Sequence, residues 1–118
     1  MTIGQVLGET ARRFPGRPAL IGEGFRCSYR ELDEYSECAA DRLWAQGVGR
    51  GAHVGVWAND QPAAFLCFCA VWKLGAVLLP LCTGYTKEEM LHCVQAADID
   101  VIVADGEYLE TLRRFELP

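Results

Sequence analysis

A run of residues that reads strand, helix, strand constrains the fold of this chain more than any other feature of its sequence. Within Gly51–Leu81, an apolar and β-branched run covers His53–Ala58, a helix-length apolar stretch ends near Lys73, and a second apolar run covers Ala76–Leu81. Two short strands joined by a helix form a crossover unit in which the strands are parallel and lie in one sheet. The sequence therefore predicts a parallel sheet with at least one covering helix.

The same region has to be tested as a membrane span, because Ala63–Cys82 contains a single charged residue. Lys73, Gly75 and Pro80 divide it into a helix of about a dozen residues and a short strand, and both are shorter than the roughly 20 apolar residues that a bilayer requires. Strands that are apolar on both faces are typical of buried parallel sheets. We therefore predict a buried helix and a central strand, and no membrane span.

The remaining segments supply further helices and strands. Three capping boxes, each a Ser or Thr followed by Glu or Gln at the third position, predict helix starts. They are Thr2 with Gln5, Ser28 with Glu31, and Thr86 with Glu89. Asn59 or Asp60 can cap the helix that contains Pro62. Short strands are predicted at Ala19–Gly22 and Phe25–Tyr29, around a Glu23-Gly24 turn, and at Val101–Ala104.

This alternation predicts an α/β fold. We expect one domain over residues 1–118, with three layers, a mainly parallel sheet, helices on both faces and a short N-terminal β-hairpin. The second helix should place Leu32, Tyr35, Ala39 and Leu43 on its packed stripe, with Glu34, Glu37 and Asp41 facing elsewhere. Ligands of such sheets bind beyond the carboxyl ends of the strands, which are the turns 58–61, 82–86 and 105–108.

Charge and cysteine content exclude several classes of function. The net charge of -5 and the presence of only two lysines predict no nucleic-acid partner. The six cysteines fall in apolar segments and lack a C-x-x-C spacing, so we expect small core residues and no metal site. The amphipathic start of the chain, Thr2–Phe14, is unlike a secretory signal. These features together predict a cytoplasmic location.

Few residues could carry chemistry. The glycines of Gly47–Gly51 lie between a helix and a strand, the reverse of a phosphate-binding loop. Neither serine lies in a nucleophile motif. His53 and His92 are predicted to be surface residues, and Lys73 to extend outward and complement the end of its helix. We predict that three aspartates, Asp98, Asp100 and Asp105, are solvated turn residues rather than magnesium ligands. We predict no catalytic, cofactor-binding or metal-binding residue.

Several blocks of sequence nevertheless resemble one family. The blocks are R-F-P-G-R-P-A-L-I from Arg13, C-S-Y-R-E-L from Cys27, A-A-D-R-L-W-A-Q-G-V from Ala39, W-K-L-G-A-V-L-L-P-L from Trp72 and Y-T-K-E-E-M from Tyr85. In this order and at these spacings, the chain resembles the N-terminal portion of the adenylate-forming (AMP-binding) enzymes. V-G-V-W-A-N-D-Q-P and P-L-C-T-G-Y-T-K-E-E look most like the acyl-CoA synthetases.

The resemblance implies an ATP-dependent activation of a carboxylate to an acyl adenylate, followed by transfer to a thiol such as coenzyme A. It implies ATP, magnesium and coenzyme A as cofactors of the full-length enzyme, an acid-thiol ligase of fatty acid metabolism. The family's phosphate loop, nucleotide motifs and catalytic lysine have no counterpart here. Cys82, Gly84 and Ala52 also depart from residues that the family often has. We therefore expect this chain to be inactive alone and to hold no cofactor.

Two interpretations of different class remain. The first is an N-terminal fragment of an acyl-CoA synthetase, whose partner is the missing C-terminal remainder. The second is a stand-alone, non-enzymatic α/β module for binding or assembly. Since a fragment exposes surface that the remainder would cover, the first interpretation also predicts self-association into dimers or larger species.

Overall fold

The computed structural model describes residues 2–58 and 61–106, and the elements follow the predicted order. Helices are α1 (Ile3–Arg13), α2 (Tyr29–Ala45), α3 (Gln61–Lys73) and α4 (Lys87–Ala96). Strands are β1 (Pro18–Gly22), β2 (Phe25–Ser28), β3 (His53–Trp57), β4 (Val77–Pro80) and β5 (Val101–Ala104). No strand end differs from the sequence prediction by more than one residue, and half of the ends agree.

Local signals in the sequence explain where three helices begin. Thr2, Ser28 and Thr86 each accept a hydrogen bond from the third helical N–H, and the side-chain oxygen of the Gln or Glu at that position accepts one from the backbone N–H of the cap residue. All three predicted capping boxes are therefore confirmed. The predicted cap of α3, Asn59 or Asp60, lies outside the described residues.

The strands form two sheets. β1 and β2 pair antiparallel as the predicted hairpin, and β4, β3 and β5 form a parallel sheet in that order. Val71 of α3 packs on Val54 at one face of the parallel sheet. The side chain of the preceding residue, His53, lies on the opposite face of the sheet. Its ring is hydrogen-bonded to the carbonyl of Ala97, at the end of α4. Helices thus cover both faces, and the α/β fold is confirmed.

Two helices, α1 and α2, pack on α3 rather than on the parallel sheet. α2 makes the most extensive contact with α3, and α1 lies across both. A cluster of apolar side chains fills the space between the β1–β2 hairpin and these helices. Cys27, Leu32 and Cys69 are its buried members, and they are surrounded by Leu7, Ala19, Leu20, Phe65, Leu66 and Trp72. Among the described helices, none is long and apolar enough to cross a membrane.

The packed stripe of α2 differs from the one that the sequence predicted. Leu32, Ser36 and Ala40 are its buried residues, whereas Tyr35 is 51% exposed. Ser36 can be buried because its hydroxyl donates to the carbonyl of Asp33 at 3.1 Å, which satisfies the polar group within the helix. The buried face of α2 therefore includes a small polar residue that hydrophobic periodicity does not select.

Candidate functional site

The carboxyl-terminal edge of the parallel sheet is the place where ligands of this fold class bind. β3 ends at Trp57, whose side chain is 1% exposed. The indole Nε1 donates a 2.7 Å hydrogen bond to the carbonyl of Cys82, in the loop that follows β4. Trp57 therefore joins the ends of two neighbouring strands and fixes the loop between β4 and α4 relative to the sheet.

The same loop places Tyr85 beside α4. Its backbone N–H donates to the carbonyl of Cys82 at 3.2 Å, and its side chain lines a shallow groove of about 390 Å³ with Glu88, Glu89, His92 and Cys93. The hydrogen bond between the phenol and the Cys93 thiol raises the pKa of Tyr85. The phenol can donate a hydrogen bond in this groove.

The predicted surface position is confirmed for His92, whereas His53 is only partly exposed. His92 is exposed on α4. His53 is half-buried, and its Nδ1 lies 2.6 Å from the carbonyl of Ala97, which makes Nδ1 the protonated nitrogen. Its backbone N–H also donates to Oδ2 of Asp100 at 2.9 Å. His53 thus connects β3 to the segment before β5 at the amino-terminal edge, away from the ligand-binding edge.

Lys73 does not extend outward as predicted. Its side chain is 10% exposed and turns towards α2, where Nζ donates to Oδ1 of Asp33 at 2.6 Å, to Oε2 of Glu37 at 2.8 Å and to the Asp33 carbonyl at 2.9 Å. Burial lowers the pKa of Lys73, but these hydrogen bonds and carboxylate charges outweigh it and raise the pKa. The amine is held as an ammonium ion, which excludes a nucleophilic role at neutral pH.

Replacing Lys73 with methionine should lower the free energy of unfolding by about 1–3 kcal/mol, since a partly buried ion pair loses its cation while its carboxylates stay. Asp33 and Glu37 are 35% and 65% exposed, so water compensates part of the loss. Urea denaturation measures the effect. Arg12→Met, which breaks the exposed pair with Glu9, is the matched control and should cost less than about 1 kcal/mol. Equal losses for both variants would contradict the structural role of Lys73.

The acidic residues around β5 do not assemble into a metal site. Asp98 adopts a positive φ of 51°, and Asp100 bonds to the backbone of His53. Over residues 2–58 and 61–106, no group of three or more His, Cys, Asp or Glu side chains is arranged to hold a metal ion. Asp98 lies in the turn after α4, as predicted, whereas Asp100 and Asp105 border the two ends of the apolar strand β5.

The cysteines divide into three groups, and the prediction that all six are core residues is wrong for two. Cys27 and Cys69 are buried, Cys67 and Cys93 are half-buried, and Cys38 and Cys82 are exposed. Burial raises the pKa of the Cys27 and Cys67 thiols, and it raises the pKa of Cys69 to about 11. Cys82 is exposed because β4 ends before it, at Pro80.

Thiol alkylation should follow this division. At pH 8, Cys38 and Cys82 should react with iodoacetamide first, and Cys69 at least about a hundredfold more slowly, because a pKa raised by two units lowers the thiolate fraction by that factor. Peptide mass spectrometry over a time course measures each site. Denaturing the chain in urea is the control and should equalise the rates. Fast alkylation of Cys69 in the folded chain would contradict the packing of α3 against the hairpin.

The described residues do not fit a nucleoside triphosphate. Binding one requires cations, donors and metal ligands that converge on the phosphates. Lys73 is neutralised by two carboxylates, Lys87 lies exposed at the start of α4, and the glycines of Gly47–Gly51 connect α2 to β3 as predicted. Two hydrogen-bonded contacts between distant elements were not predicted from the sequence. They join Trp57 to the carbonyl of Cys82, and Lys73 to Asp33 and Glu37 of α2. A buried indole and a lysine in an apolar run were their only sequence signals.

Comparison with known proteins agrees with this architecture. Residues 7–116 match the model of the family described as AMP-binding enzyme. The chain is 30% identical over 112 residues to the putative acyl-CoA synthetase YngI of Bacillus subtilis, which covers 93% of this chain and 20% of that protein. It is 35% identical over 102 residues to the phosphinothricin tripeptide synthetase PhsC of Streptomyces viridochromogenes, covering 86% of this chain and 9% of that protein. The chain thus spans a fifth or less of the length of these relatives.

Solved structures show the same fold. The N-terminal subdomain of Klebsiella oxytoca NpsA in complex with anthranilyl-AMSN superposes with a TM-score of 0.85 at 26% identity, over 89% of this chain and 28% of that chain. The O-succinylbenzoate coenzyme A synthetase MenE from Bacillus subtilis, in complex with AMP, gives a TM-score of 0.84 over 91% of this chain and 28% of that chain. Its identity of 22% supports the fold alone.

Proposed function

Because the chain belongs to the AMP-binding enzyme family, we propose that it is the N-terminal section of an ATP-dependent acyl-CoA synthetase. The observation that carries the proposal is the similarity to YngI over 93% of this chain. The resemblance of the β3 segment and of the loop after β4 to acyl-CoA synthetases supports the same choice. The parent enzyme would activate a carboxylate with ATP and transfer the acyl group to coenzyme A.

In that enzyme, this section acts as a scaffold rather than as a source of catalytic groups. Trp57 fixes the loop of residues 81–86 at the ligand-binding edge, while α1 and α2 cover α3 on the far side of the sheet. ATP, magnesium and coenzyme A would be bound by the remainder of the polypeptide, which is the proposed partner of this section. The 118-residue chain alone is proposed to be inactive.

Two specific alternatives remain. The 35% identity to PhsC favours a second candidate, the corresponding section of a peptide-synthetase adenylation domain. A stand-alone, non-enzymatic module for binding or assembly is the third interpretation.

Exchange of the matching section tests the proposal. This chain replaces the corresponding section of YngI in one chimera and of an adenylation domain of PhsC in another, and acid-dependent pyrophosphate release and coenzyme A thioester formation are measured. We expect the YngI chimera to keep activity within about tenfold of its parent, since the shared fold preserves the scaffold. Activity in the PhsC chimera alone would overturn the acyl-CoA synthetase assignment. Folded but inactive chimeras of both kinds would overturn the scaffold role.

The isolated chain should not be stabilised by MgATP. A ligand present at 100 times its Kd stabilises the folded state by about 2.7 kcal/mol, which raises the Tm of a domain of this size by several degrees. We expect no saturable shift in Tm up to millimolar MgATP, measured by differential scanning fluorimetry. Magnesium chloride with inorganic sulfate is the control for ionic effects. A saturable shift with ATP would show that this section holds a nucleotide site of its own.

A further inference from the structure

We draw no further inference here: the strongest candidate, an apolar pocket of about 500 Å³ between the β1–β2 hairpin, α2 and the first turns of α3, lined by Leu20, Phe25, Cys27, Leu32 and Leu66, carries nothing, because the chain spans a fifth or less of the length of YngI and PhsC and nothing in the described residues shows what covers this pocket.

Discussion

Replacing Trp57 with alanine is expected to lower the free energy of unfolding by about 3–5 kcal/mol, the range for truncation of a large buried aromatic side chain. Among the residues that the structure describes, Trp57 is the largest fully buried side chain, with 1% of its surface exposed. Its removal leaves a cavity at the end of β3 and deprives the Cys82 carbonyl of its 2.7 Å hydrogen bond. Since single domains are stable by only about 5–15 kcal/mol, this loss is a large fraction of the total.

Two further variants separate the contributions of Trp57. Trp57→Phe retains most of the apolar volume but leaves the carbonyl of Cys82 without the indole donor, and should cost about 1–3 kcal/mol. Trp44→Ala is the matched control, because Trp44 is 66% exposed at the end of α2, and should change stability by less than about 0.5 kcal/mol. Urea denaturation followed by circular dichroism measures all three. If Trp57→Ala were as stable as Trp44→Ala, the described position of the loop after β4 would be wrong.

Substitution of Gly4 by alanine should destabilise the chain by about 1–3 kcal/mol, as expected for overpacking against a rigid neighbour. A Cβ atom at Gly4 would lie 2.8 Å from the Cα of Lys73 and 3.0 Å from the carbonyl oxygen of Trp72. These are backbone atoms of α3 and cannot rotate away, so α1 must move. The displacement would also disturb the neighbouring contact of Lys73 with α2.

Gly8→Ala provides the control for helix propensity. A Cβ at Gly8 meets only side-chain atoms, with the nearest, Nη1 of Arg12, at 3.7 Å. Alanine there should be neutral or stabilise the chain by up to about 1 kcal/mol, because alanine favours a helix more than glycine does. Opposite signs for the two substitutions, measured by urea denaturation, are the expected result. Stabilisation by Gly4→Ala would contradict the close packing of α1 on α3.

Much of the fold could be predicted because its signals are local. Capping boxes and apolar periodicity act over three or four residues, and they placed α1, α2 and α4 correctly. The Glu23-Gly24 turn predicted the hairpin, with Gly24 at a positive φ of 71°. Right-handed crossovers then restricted the arrangement of the remaining strands and helices. The resemblance to the AMP-binding enzymes drew on the same local blocks of sequence.

Side-chain environments were predicted less well, because they depend on contacts between distant residues. Lys73 meets Asp33 across 40 positions of sequence, and His53 meets Ala97 across 44. Tyr35 was placed in the packed stripe of α2 for its hydrophobicity, but Tyr35 is 51% exposed and Ser36 is buried. In each case, a partner that no local pattern specifies decided whether the side chain is buried.

The sequence by itself determined the order of the helices and strands, the parallel sheet and the family, since these depend on short-range patterns along the chain. Only the tertiary structure decided that Trp57 fixes the loop after β4, that Lys73 joins α3 to α2, and that β3 lies between β4 and β5 in the parallel sheet. The physical reason is that polar groups find hydrogen-bond partners, and apolar side chains are buried, through contacts between different helices and strands as well as within each one.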